Sequence, residues 1–201
     1  MTGLDHPWDV RPIGKGRLLY TQRDRATLGI WDHGRRHRVR FPSGQVWVSG
    51  ETGLMGLEVD PAFAVNRRIY TCQGGRTAGG HDVRVMAWKL NKPLTKATKG
   101  RVLVGGFPTS TGRHGGCRLL IDHTGSLRVG TGDAAIGTNP ENKKSLGGKT
   151  LRLDRFSGDP WPTNPFIDAN NRNARYVHTY GHRNVQGLAQ RADRTLWSIE
   201  Q

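Results

Sequence analysis

RLLIDHTGSLRVGTG (118–132) decides the fold. Two apolar runs flank the short polar reversal HTGS (123–126), where Thr124 and Gly125 supply turn chemistry, so the stretch reads as a β-hairpin. The same order of apolar strand, turn with Pro, Gly or Asp, and second apolar strand returns in WDVRPIGKGRLLYTQ (8–22), GLEVDPAFAVNRRIYTC (56–72) and GLAQRADRTLWSIE (187–200). Superimposing the four aligns Val10, Val59, Ile121 and Gln190, which by subtraction lie 49, 62 and 69 residues apart. Gly14 and Gly16 in the first hairpin and Asp60 with Pro61 in the second make those turns credible as well.

Further strand candidates fall between the hairpins: TLGIW (27–31), HRVRF (37–41), VRVMAWKL (83–90), GRVLV (100–104) and KTLRLD (149–154). One repeat therefore carries about four strands, the content of a propeller blade. A β-sandwich also alternates and turns, but it has no need of a strand pair recurring at blade-length intervals. Dividing the 201 residues by a repeat of about 60 gives some three and a half blades, fewer than the roughly four to eight that close a ring. The expectation is an all-β, incomplete β-propeller forming one partial domain over 1–201, with three to four blades of four antiparallel strands, truncated at its C-terminal end. An open ring of this kind leaves strand edges and blade faces uncovered.

Composition agrees with many short strands and turns: Gly is 28 and Pro 10 of the residues, and only 34% are hydrophobic. Lys and Arg outnumber Asp and Glu by 31 to 16, a formal charge of +15. The basic residues are scattered, and the one cluster, Arg35, Arg36, His37, Arg38 and Arg40, sits in a strand-and-turn context without a helix-turn-helix, zinc-finger or RNA-binding signature. Nucleic acid is thus disfavoured as a partner. Cys72 and Cys117 either pair or stay free, and their spacing resembles no metal site. The first ten residues show no basic segment followed by an apolar run, and no stretch approaches the ~18 apolar residues of a membrane-spanning helix.

Candidate chemistry concentrates in GRHGGCRLLIDHTGSLRVGTGD (112–133). His114 precedes the first strand of the hairpin and Asp133 follows the second, so an antiparallel pairing sets them side by side despite 19 positions of separation. A carboxylate beside an imidazole fixes its tautomer and stabilises its protonated form, and an imidazole of ordinary pKa near ~6.5 accepts a proton near neutrality. Gly115 and Gly116 would allow a ligand close to the backbone. A loop histidine beside a turn aspartate is the plainer alternative. Against it, the residue seven before Ile121 is His114, seven before Gln190 is Arg183, and eight before Val59 is Glu51, so an imidazole, a guanidinium and a carboxylate are expected on one rim. No Walker loop, dinucleotide fingerprint, nucleophile elbow or paired His/Cys metal spacing occurs. His182 and the tryptophans Trp8, Trp88, Trp161 and Trp197 are expected to pack, and His123 lies at the far end of its hairpin.

Four blocks, in order, resemble the soluble quinoprotein glucose dehydrogenases and the related aldose sugar dehydrogenases. They are ETGLMGLEVDPAF (51–63), HGGCRLLIDHTGSLRVGTGD (114–133), SLGGKTLRLD (145–154) with NPF (164–166), and YGHRNVQGL (180–188). The resemblance implies a six-bladed propeller with pyrroloquinoline quinone (PQQ) and calcium in a top-face cleft, oxidising the anomeric hydroxyl of an aldose to a lactone and passing electrons to an external acceptor. It implies His114 as base, Asp133 orienting it, Arg183 polarising the quinone carbonyl, Asn184 holding the cofactor, and Glu51 near the site. It also implies a periplasmic or extracellular location. Two departures stand out: Arg113 falls where the glucose dehydrogenases carry an aspartate, and WSIEQ (197–201) ends before the Gly-Pro segment that would bind calcium. No metal ligand is therefore assigned, and this chain alone is expected to have little or no activity. The alternative is a non-catalytic propeller module that binds a protein or carbohydrate partner.

Overall fold

The computed structural model describes residues 1–201 apart from the side chain of Lys99. Among the described residues the strands form three four-stranded sheets and one two-stranded sheet, every pairing between neighbouring strands antiparallel. The first blade holds β1 (Pro7–Pro12), β2 (Arg17–Gln22), β3 (Thr27–Asp32) and β4 (Arg35–Val39). The second holds β5 (Leu54–Val59), β6 (Arg68–Thr77), β7 (Gly80–Leu90) and β8 (Ala97–Phe107). The third holds β9 (Arg118–Ile121), β10 (Ser126–Gly130), β11 (Lys149–Asp154) and β12 (Val177–Tyr180). The last pair, β13 (Val185–Gln190) and β14 (Leu196–Glu200), is the hairpin of a fourth. This is propeller architecture, as the repeat predicts.

The repeat register needs one adjustment. Val59, Ile121 and Gln190 each close the last pair before their turn, whereas in the first blade that place belongs to Pro12, paired with Leu18, and not to Val10. Several short pieces escape sequence reading. The helical turn α1 (Phe63–Asn66) forms because Asp60 accepts from the Ala62 N–H and from the Asn66 amide, and α2 (Arg172–Tyr176) because the Asn171 side chain caps it. Strand β12 is too short and too polar to show alternation.

Blades pack face to face through alternating side chains. Leu19, Leu28, Ile30 and Val39 of the first meet Leu54, Leu57, Ile69 and Leu90 of the second. On the other face of the second blade, Tyr70, Val83, Val85 and Phe107 meet Leu119, Leu127, Val129, Leu151 and Leu153 of the third. Each such aliphatic side chain contributes roughly 1.5–3 kcal/mol when fully buried. Toward the axis the inner strands β1, β5, β9 and β13 are tied by arginines. Arg11 donates to the carbonyls of Leu57 (2.9 Å) and Leu119 (3.0 Å), while Arg118 reaches Asp9 (2.7 Å) and the Gln186 carbonyl (2.8 Å). Cys72 in β6 and Cys117 just before β9 form a disulfide, Cα–Cα 5.9 Å, joining second and third blades.

Trp88 is buried in the core between the first and second blades, Trp8 packs against the core between the second and third under the Arg118 guanidinium, and Trp161 lies beneath Arg152. Trp197, on the last strand, is 55% exposed, with Ile199 at 72% beside it. Among the described residues no further sheet covers the β13–β14 hairpin. No helix is long and apolar enough to cross a membrane.

Candidate active site

The loops entering the inner strands, 47–53, 108–117 and 181–184, lie at one end of the blades, opposite the hairpin turns. Where they meet, His114 and Asp133 are 5% and 6% exposed. Imidazole Nδ1 lies 2.7 Å from Asp133 Oδ1, which also accepts from the Ala135 N–H at 2.7 Å. An ionised carboxylate only accepts, so the proton of the neutral ring is set on Nδ1 and the lone pair on Nε2. Among the described residues Nε2 has no hydrogen-bond partner, and it is not among the sealed, unpaired atoms.

Glu51 and Arg183 both join the pair, through the backbone as well as by position. Glu51 Oε2 accepts from the His114 N–H at 2.8 Å, and the Arg183 carbonyl accepts from the Asp133 N–H at 2.7 Å. The Arg183 side chain is exposed and donates to the Gln201 carbonyl at 2.5 Å. Asn184 is fully buried; its Oδ1 accepts from the Gly116 N–H (3.0 Å) and its Nδ2 donates to Gln201 Oε1 (3.1 Å), leaving one amide proton uncommitted. The rim alignment thus brings together Glu51, His114, Asp133, Arg183 and Asn184.

The backbone here is held in unusual conformations: His114, Ala134 and Ala135 have φ of 48°, 60° and 57°. Two readings need correction. Gly115 and Gly116 do not leave room for a ligand, because a Cβ on Gly115 would lie 2.3 Å from Thr52 Oγ1 and one on Gly116 would lie 2.8 Å from the Gly132 nitrogen. Their smallness serves the packing of one loop on another. His182 is not a packing residue; it is partly exposed and hydrogen-bonded to Thr179 Oγ1 and Glu200 Oε1, both at 2.6 Å. Sequence reading missed Thr52, whose hydroxyl donates to the Gly112 carbonyl (2.9 Å), and Asn139, whose amide donates to the Asp133 carbonyl (2.9 Å). Thr52 stands beside Glu51 in the 51–63 block, but a lone hydroxyl there carries no signature of its own, and Asn139 lies in none of the quoted blocks.

Fold and site together define a β-propeller with a buried His–Asp pair at the mouth of its inner strands. Residues 4–201 match the sequence profile of the Glucose / Sorbosone dehydrogenase family, and the chain belongs to that family. It is 32% identical over 204 residues to the aldose sugar dehydrogenase YliI of Escherichia coli (strain K12), covering 98% of this chain and 54% of that protein. A structure of the PQQ-bound form of aldose sugar dehydrogenase from Streptomyces coelicolor matches with a TM-score of 0.88 and 31% identity over 99% of this chain and 57% of that one. The soluble aldose sugar dehydrogenase of Escherichia coli, in its apo form, matches with a TM-score of 0.88 and 31% identity over 98% and 58%. The chain spans about half the length of the curated relatives it matches.

Proposed function

We propose that this chain carries the base-bearing half of a PQQ-dependent aldose sugar dehydrogenase, folded as one partial propeller domain. The observation that carries the reading is the buried His114–Asp133 pair with its unpartnered Nε2. The polar groups suit a quinone cofactor in part: the imidazole Nε2 lone pair is unclaimed among the described residues, and the exposed Arg183 side chain is carried by the segment whose carbonyl accepts from the Asp133 N–H. Among the described residues no three His, Cys, Asp or Glu side chains converge, so no calcium ligand is assigned here. Calcium stays an implication of the resemblance.

In the mechanism, His114 Nε2 accepts the proton of the sugar's anomeric hydroxyl. Asp133 holds the Nδ1–H and offsets the charge the ring acquires. Glu51, gripping the His114 N–H, keeps the ring's backbone from turning away. Arg183 presents its planar fork to a polarised carbonyl or carboxylate, and Asn184 fixes the Gly116 backbone against the Arg183 segment. PQQ, when bound, supplies the two-electron acceptor for the hydride. An external electron acceptor then completes turnover. The disulfide suits an oxidising compartment, periplasmic or extracellular.

Catalysis is assigned only with the blades present in the longer relatives. The test is to extend the chain to their full length, titrate it with PQQ and calcium, and follow aldose-dependent dye reduction. Turnover by the extended protein and little or none by the 201-residue chain is expected. PQQ binding without oxidation of any aldose would remove the role of His114 and favour a binding propeller.

A further inference from the structure

We propose that Lys149 is a positioning residue for the His114–Asp133 pair. Its buried ammonium clasps the 134–148 loop, and the loop in turn holds Asp133 and the Arg183 segment in place. Calling the pair catalytic rests on the function proposed above; the positioning itself does not.

Lys149 begins β11 and is fully buried. Its Nζ donates to the carbonyls of Asn139 (2.7 Å), Pro140 (2.9 Å) and Gly147 (2.7 Å), which uses all three of its protons. No carboxylate forms an ion pair with it among the described residues. Burial pushes its pKa down to about 8, with Glu141 opposing and Lys143 adding to the shift. A cation taken from water without a counter-ion is costly to hold, so its three carbonyl contacts must supply what a salt bridge would.

Those contacts act on the site because of what the clasped residues do next. Asn139, whose carbonyl one Nζ proton engages, donates its amide to the Asp133 carbonyl at 2.9 Å. Pro140, engaged by the second, lends its carbonyl to the Gly181 N–H (3.0 Å), and Gly148 lends its own to the His182 N–H (3.1 Å). The Asp133 N–H donates to Arg183 (2.7 Å), closing a ring of contacts from Lys149 through the loop to both functional segments and back. Thr131 Oγ1 ties the far end of the loop by donating to the Leu146 carbonyl at 2.7 Å. One ammonium therefore ties the backbone of Asp133 to the Arg183 segment without touching either residue.

The test uses the 201-residue chain, hydrogen exchange by residue, and the NMR signal of the His114 Nδ1 proton shared with Asp133. In Lys149→Met, amides of 134–148 are expected to exchange on the order of tenfold to a hundredfold faster. The first two blades should keep their protection, and the Nδ1 proton should shift or broaden. A wild-type Nδ1 signal in that variant, or protection lost equally in every blade, overturns the proposal, since a merely structural lysine would do one or the other. Should Lys149→Met fail to fold, Asn139→Ala decides. It cuts the tie to the Asp133 carbonyl and is expected to move the same signal; an unmoved signal overturns the proposal. Neither readout involves PQQ or sugar, so failure of sugar oxidation would count against the proposed function alone.

Discussion

The two ends of the β9–β10 hairpin each carry a buried carboxylate, and they are finished differently. At the turn, Asp122 accepts from the Thr124 and Ser126 N–H groups, from both their hydroxyls and from Arg128 Nε, with Arg152 close by at 3.6 Å. Burial works against its ionisation, yet the hydrogen bonds from Thr124, Ser126 and Arg128 hold its carboxyl well below the usual range. At the mouth, Asp133 Oδ1 accepts from a backbone N–H and from an imidazole whose other nitrogen meets no protein group among the described residues. A saturated carboxylate stabilises a turn. A carboxylate that spends its charge on a ring with one lone pair unclaimed is equipped to move a proton.

That contrast can be broken most forcefully at the mouth. In the extended, PQQ-loaded protein, His114→Gln is expected to lower kcat by about 10²–10⁴-fold while changing stability little, read by dye reduction and urea unfolding. An equal loss of stability and activity would make the mouth another structural pair. Asp122→Ala should do the reverse. It strands Arg128 and Arg152 beside one another and is expected to cost about 3–5 kcal/mol of unfolding free energy; a loss under about 1 kcal/mol would show that Asp122 is not the keystone of its turn.

His178 sharpens the comparison at smaller scale. Its Nδ1 is buried without a partner, and burial, then Arg128 and Arg152, push its pKa down to about 4 against the opposing pull of Asp122. The unfolded chain takes up a proton near the ordinary ~6.5 and the folded chain only near 4, so stability falls as pH drops through that window, by up to about 3 kcal/mol. His178→Leu is expected to flatten this limb in unfolding curves at stepped pH, leaving the loss from Asp122 to begin at more acid values. An unchanged slope would place the acid sensitivity elsewhere.

Much of the site was legible because it lies at strand ends. His114 and Asp133 flank a hairpin whose pairing follows from its own apolar pattern, and Arg183 and Glu51 stand at matching offsets in other repeats. What was not legible came from contacts without a sequence signature. Gly115 and Gly116 read as room for a ligand because a glycine looks the same whether its empty side faces solvent or Thr52. His182 read as packing because its partner Glu200 lies on another strand.

The sequence by itself determined most of the strands, their grouping into blades, and the nearness of His114 to Asp133, because period-two alternation and turn residues act over a few positions and a hairpin has one register that buries its apolar side. Only the tertiary structure decided the pairing of Cys72 with Cys117, the clasp of Lys149 on three carbonyls, and which buried charges are saturated. Those depend on distances between segments brought together by blade packing, and no local pattern encodes them.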